Sequence, residues 1–241
     1  MSLKFQVLIF LFVGTLIGNI LCQKPWESTP KEKKWWQKRH QEILNTTSTL
    51  GKDIKIIFIG SSSAQYWSST AKDLWDSKYA PLGAVNYGIR GDGTENILWR
   101  IENGEIDGLS PKLVVVYAGS YNVPRSTLPE VVRGVNTVID KLHEKLPTAN
   151  ILYIGFLPRA NRTPVKKILT KVRHLTDTLE PMLNGDTKRN CHFLDIFWSL
   201  APESLDRFYE EYYEDDKLHL NRDGYAIWDN LMNNTFYSLI A

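Results

Sequence analysis

Residues 54–65 read Ile-Lys-Ile-Ile-Phe-Ile-Gly-Ser-Ser-Ser-Ala-Gln. The apolar run is too continuous to alternate between a wet and a dry face, which is the pattern of a strand buried on both sides. It stops at Gly60, and three serines follow, a residue type that caps helices and closes turns. Comparable runs recur at residues 84–87, 113–118, 151–156 and 191–196. Between them lie stretches of helical period, clearest in Val131, Val132, Val135, Val138, Ile139, Leu142 and Leu146. Strand–helix alternation of this kind predicts one α/β domain over residues 35–241, a three-layer α/β/α sandwich on a five-stranded parallel sheet. In such folds the working residues sit beyond the carboxyl ends of the strands.

Composition narrows the function classes. The 241 residues are 43 % hydrophobic and 23 % charged, ordinary for a globular chain, so wholesale disorder is excluded. A formal charge of +2 lacks the field of a nucleic-acid binder. Two cysteines exclude a disulfide scaffold and a Cys-rich zinc site. His40, His174 and His192 share no metal-ligand spacing with one another.

The first 22 residues carry one lysine and then an apolar segment, and read as a signal peptide cut near Cys22 or Gln23. An uncleaved membrane anchor through residues 5–22 is the other reading. Gln6, Thr15 and Asn19, with the lysines at 24, 31, 33 and 34, favour cleavage and secretion. Sequons at Asn45, Asn161 and Asn233 fit that route as glycosylation sites. The basic segment 23–34 leads into Trp35, Trp36, Lys38 and Arg39. It either contacts an anionic surface through residues 24–39 or lays its tryptophans on the domain and leaves its lysines in water.

Candidate chemistry lies at the strand ends. Ser62 follows a buried strand at a Gly-permitted turn into a helix, a place that exposes a nucleophilic hydroxyl. Gly88 to Gly93 form a glycine-rich turn without dinucleotide spacing, whose amides can donate to an oxyanion. Asp216-Lys217-Leu218-His219 places a carboxylate within one turn of an imidazole. A second copy, Asp140-Lys141-Leu142-His143, falls within a helical stretch and reads as a solvated face.

Taken in order, these features resemble the SGNH (GDSL-type) hydrolases, nearest to the catalytic subunits of platelet-activating-factor acetylhydrolase. The resemblance rests on Phe58-Ile59-Gly60, on Asn86-Tyr87-Gly88-Ile89-Arg90-Gly91-Asp92, on Trp99-Arg100 with Asn103-Gly104-Glu105, and on Leu218-His219-Leu220 with Gly224-Tyr225. It implies a flavodoxin-like sheet, no metal or cofactor, a small-molecule ester substrate, a homodimer, and hydrolysis through an acyl-enzyme. By position it implies Ser62 as nucleophile, His219 as general base and Asp216 as its orienting acid. Ser62 and Gly91 match the oxyanion hole, and Ser63 and Leu218 the acyl pocket.

Two departures stand out. Ser61 replaces the acid of Gly-Asp-Ser, and Tyr121 replaces the asparagine of Gly-x-Asn. Asn122 is one residue further on, where strand alternation aims it elsewhere. The third oxyanion donor is then Tyr121, Asn122 or missing. Two functions follow: a secreted serine esterase acting on short acyl esters of a lipid or glycan, or a secreted binding protein that keeps the scaffold and has weakened chemistry.

Overall fold

The computed structural model describes residues 23–160 and 164–241. The signal or anchor segment and Asn161 lie outside these residues.

Five strands, β1 (Ile56–Gly60), β2 (Ala84–Gly88), β3 (Leu113–Tyr117), β4 (Asn150–Ile154) and β5 (Cys191–Leu194), form one sheet in the order β2-β1-β3-β4-β5. Every neighbouring pair is parallel. This is the flavodoxin-like order, in which the chain runs outward first on one side and then on the other. All five residues of β1 and of β3 are buried, so helices must cover both faces of the sheet centre.

The longer helices are α1 (Lys34–Leu50), α3 (Thr94–Glu102), α4 (Leu128–Lys145), α5 (Val165–Leu183) and α6 (Arg222–Ile240), and a single turn, α2 (Ser62–Gln65), follows β1. Helix α4 buries Val131, Val135, Val138, Ile139 and Leu142, the stripe expected from its period. At its start Glu130 Oε2 accepts from Thr127 N at 2.9 Å and from Thr127 Oγ1 at 3.0 Å. Among the described residues no helix is long and apolar enough to cross a membrane.

The segment before α1 is part of the domain surface rather than a free tail. Thr94 Oγ1 donates to the Pro25 carbonyl at 2.5 Å, Thr29 N donates to the Glu95 carbonyl at 3.0 Å, and Asn96 Nδ2 donates to the Thr29 carbonyl at 2.9 Å. Trp36 is buried and Trp35 stays 41 % exposed, with the Arg90 guanidinium 4.8 Å from its ring centre. Asn45 is exposed on α1, whereas Asn233 is half-buried and accepts from Lys78 Nζ at 2.8 Å. Cys191 is a free thiol buried in β5.

Candidate active site

Strand β1 ends in close contact with β3. A side chain at Gly60 would place its Cβ 2.2 Å from the Tyr117 carbonyl, so only glycine fits. Ser61 N donates to that carbonyl at 3.3 Å, just past the last paired residues of β1 and β3, Gly60 and Tyr117. Ser61 is buried, and Ser62 opens α2 half-exposed. The expected helix is one turn long and passes into a 3₁₀ turn at Tyr66–Ser68. Charge at Ser62 therefore meets individual N–H groups rather than a long helix dipole.

The Asp216–His219 loop approaches from the other end of the chain. An isolated bridge between Tyr213 and Leu220 and a bond from Glu214 N to the His219 carbonyl (2.8 Å) fix its base. Lys217 takes φ 53°, which folds Asp216 back over the turn. One carboxylate oxygen then accepts from the N–H groups of Leu218 and His219, each at 2.9 Å. The other accepts from His219 Nδ1 at 2.5 Å. An ionised carboxylate can only accept, so the proton sits on Nδ1 and Nε2 is left as an acceptor. Ser62 Oγ donates to Nε2 at 2.9 Å. Burial raises the Asp216 pKa, but the His219 and Leu218 amides and the imidazole outweigh it and hold the carboxyl below its ordinary value. Residues 157 positions apart thus form one hydrogen-bonded chain, serine to imidazole to carboxylate.

Gly91 sits after β2 with φ 75°, in a turn closed by Asp92 N donating to the Ile89 carbonyl at 3.3 Å. Tyr121 is 42 % exposed, its ring centre 4.0 Å from the Arg125 guanidinium and 5.0 Å from Lys31 Nζ. Asn122 is turned inward. Its Oδ1 accepts from Thr94 N at 2.9 Å, and its Nδ2 donates to Glu95 at 2.7 Å. Asn122, one of the two alternatives for a side-chain oxyanion donor, is buried and its amide pins the start of α3.

Ser63 lies buried beneath the turn, its carbonyl accepting from Tyr225 Oη at 2.8 Å. Leu218 is half-exposed, and the ring that faces the histidine is Tyr66, edge-on to His219 at 5.1 Å between centres. Sequence reasoning missed Tyr66 because it falls outside every quoted motif.

The resemblance motifs also have physical roles that spacing alone did not show. Asn86 donates to the carbonyls of Ala64 and Gln65 at 2.9 and 3.0 Å and accepts from Gly88 N at 2.9 Å, which locks α2 to the end of β2. Arg100 is fully buried. It donates to Asp92 at 2.8 Å, to Glu105 at 2.5 Å, to the Tyr87 carbonyl at 2.9 Å and to the Gly60 carbonyl at 3.3 Å. Trp36 Nε1 donates to Asp92 at 2.7 Å, and His40 Nδ1 lies 2.7 Å from Glu105. Burial pushes the Asp92 carboxyl up while Arg100 and Lys31 pull it down. Gly224 allows α6 to begin against the Tyr212 carbonyl, where a Cβ would lie at 2.3 Å.

Asp140 pairs with Arg189 at 2.8 Å, and the second Asp-x-x-His lies on α4, away from the strand ends. Among the described residues no cluster of three or more His, Cys, Asp or Glu is placed to hold a metal.

Residues 56–227 match the profile of the GDSL-like lipase/acylhydrolase family. The chain is 29 % identical over 218 residues to the human platelet-activating factor acetylhydrolase IB subunit alpha1, covering 90 % of this chain and 89 % of that one. It is 30 % identical over 206 residues to the alpha2 subunit from Rattus norvegicus, covering 83 % and 82 %. Among solved structures, a GDSL-like lipase from Bacteroides thetaiotaomicron superposes with a TM-score of 0.68 at 18 % identity, covering 83 % of this chain and 97 % of that one. An acetylxylan esterase from Geobacillus stearothermophilus gives 0.55 at 18 %, covering 80 % and 96 %. At these identities the two structures speak for the fold alone.

Proposed function

Starting from a chain that belongs to the GDSL-like lipase/acylhydrolase family, we propose that it is a secreted serine esterase that removes short acyl groups, acetyl foremost, from a lipid or a glycan. The observation that carries the reading is the bonded chain from Ser62 through His219 to Asp216. Ser62 Oγ attacks the ester carbonyl carbon as its proton passes to His219 Nε2. Asp216 faces the imidazolium so formed. Negative charge on the carbonyl oxygen is met by the backbone N–H groups of Ser62 and Gly91. The tetrahedral intermediate collapses, the alkoxide leaves with the proton from Nε2, and a water repeats the sequence on the acyl-Ser62 ester.

The acyl class is supported by the name of the curated relatives, acetylhydrolase. Secretion is supported by the character of residues 1–22 and by the exposed sequon at Asn45. One observation favours a second reading, a binding protein on the same scaffold: the position of the third donor holds Tyr121, and Asn122 is committed elsewhere.

Expression in a eukaryotic secretory host, followed by a fluorophosphonate probe, separates the two. The esterase reading expects protein in the medium, an adduct on Ser62 that disappears in Ser62→Ala, and turnover of p-nitrophenyl acetate. Secreted, folded protein with neither adduct nor turnover establishes the binding protein instead.

A further inference from the structure

The segment before α1 lies outside the matched stretch 56–227, yet it reaches the oxyanion side of the cleft. It is tied to the start of α3 by Pro25 and Thr29, and Pro25 packs so close to α4 that a Cβ on Gly134 would lie 2.6 Å from it. The next contact along it is Lys31. Its Nζ donates to the Gly91 carbonyl at 2.5 Å and to Asp92 at 3.2 Å, and stands 5.0 Å over the Tyr121 ring. Both positions that the family pattern gives to the oxyanion hole outside the nucleophile turn, 91 and 121, are thus held by one side chain.

The setting of Lys31 differs from that of its neighbours. Lys33, Lys34 and Lys38 are exposed, whereas the Lys31 side chain is only 21 % exposed. Burial disfavours the charged ammonium, and Asp92 and Glu95 offset that cost while Arg125 adds to it. The turn it grips is left-handed at Gly91 and closed by one long bond of 3.3 Å; the residues before it are held through Ile89 N on the Gly60 carbonyl and Arg90 N on Gln65 Oε1, and the Gly91 carbonyl itself is held by Lys31.

We propose that Lys31, carried by the segment before α1, is a positioning residue of the oxyanion hole. The inference rests on the esterase reading above. Lys31 acts through Gly91: its ammonium holds the carbonyl side of that turn, so the N–H presents to the developing oxyanion. It packs the Tyr121 ring against the same edge. Such a group serves the transition state and leaves ground-state binding nearly untouched.

The test compares kcat and KM for p-nitrophenyl acetate in the parent, Lys31→Met, Lys31→Ala and Lys31→Arg, with Lys33→Met and Lys38→Met as controls. Expected is a fall in kcat of about 10- to 100-fold in Lys31→Met with KM within about twofold, since a displaced donor loses part of its effect. Lys31→Arg should recover most of the loss, and added ethylammonium should raise kcat in Lys31→Ala but not in the parent. The controls should match the parent. Parent-like kcat in Lys31→Met overturns the proposal and leaves the esterase reading intact. A kcat loss that tracks a lowered Tm, with no recovery by arginine or ethylammonium, overturns it as well. A parent without Ser62-dependent turnover overturns the esterase reading itself, and this role with it.

Discussion

Arg100 donates through Nη2 to the carbonyl of Gly60 at 3.3 Å, which places a fully buried guanidinium two residues before the serine at the centre of the site. The same guanidinium holds Asp92 and Glu105, both wholly buried, so the nucleophile turn and the Gly91–Asp92 turn share one support. Removing the cation strands two carboxylates without their principal partner. Arg100→Met should therefore lower stability by about 3–5 kcal/mol, the cost of breaking a buried pair from one side. Urea unfolding followed by tryptophan fluorescence measures this. A loss within experimental error would mean that the carboxylates protonate or relax without cost.

The two Asp-x-x-His sequences should separate cleanly. His219→Ala removes the acceptor of the Ser62 proton and should lower kcat by about 10³-fold or more. His143 lies on α4, and His143→Ala should leave kcat unchanged. Initial rates on one ester suffice, and equal losses in both would place the base elsewhere.

Tyr121 is exposed and flanked by Lys31 and Arg125. Tyr121→Phe keeps the ring and both cation contacts, so kcat should stay within about threefold if the hydroxyl is not a donor. Tyr121→Asn adds a side-chain N–H and should raise kcat, by up to about 100-fold, with little change in KM. A tenfold loss in Tyr121→Phe would instead identify the hydroxyl as the third donor.

Asp216 has its carboxyl held below the ordinary value in the folded protein despite the opposing effect of burial. A depressed folded-state pKa gives stability that is complete above the unfolded value of about 4 and is lost as pH falls through the folded value. Asp216→Asn should therefore lose less stability than the parent as pH falls from about 5 to about 2, by under about 1 kcal/mol because the group is half exposed. Its kcat at neutral pH should fall by about 10³- to 10⁴-fold, since the imidazole loses its orienting charge. A steeper acid loss in the variant would reverse the sign of the linkage.

Burial pushes the Cys191 thiol up to about 12, so at pH 8 the native protein holds almost no thiolate there. An aromatic disulfide reagent should leave Cys191 unmodified until urea unfolds the domain. Rapid reaction at Cys191 in the native protein would show that β5 opens readily.

The order of buried runs and helical stretches contained the α/β class and the parallel sheet, because a strand buried on both faces and an amphipathic helix are written in local periodicity. Spacing also placed Asp216 within reach of His219, since a separation of three residues spans one turn. Which serine faces that histidine needed the fold: 157 residues separate Ser62 from His219, and they meet at 2.9 Å only because the turn after β1 and the loop before α6 are brought together in the tertiary structure. Strand alternation aimed Asn122 away from the site and it does turn away, but what fixes it is tertiary: β3 ends at Tyr117, Gly119 at φ 95° starts a turn, and Thr94 and Glu95 hold the amide. Trp99-Arg100 with Gly104-Glu105 was visible as a motif, but the partners that make it a buried ionic support come from β1, from β2 and the turn after it, and from His40 on α1. Lys31 carried no signal among its lysine neighbours. Its setting depends on the path of the segment before α1, which is fixed by long-range contacts to α3 and α4 that no local pattern encodes.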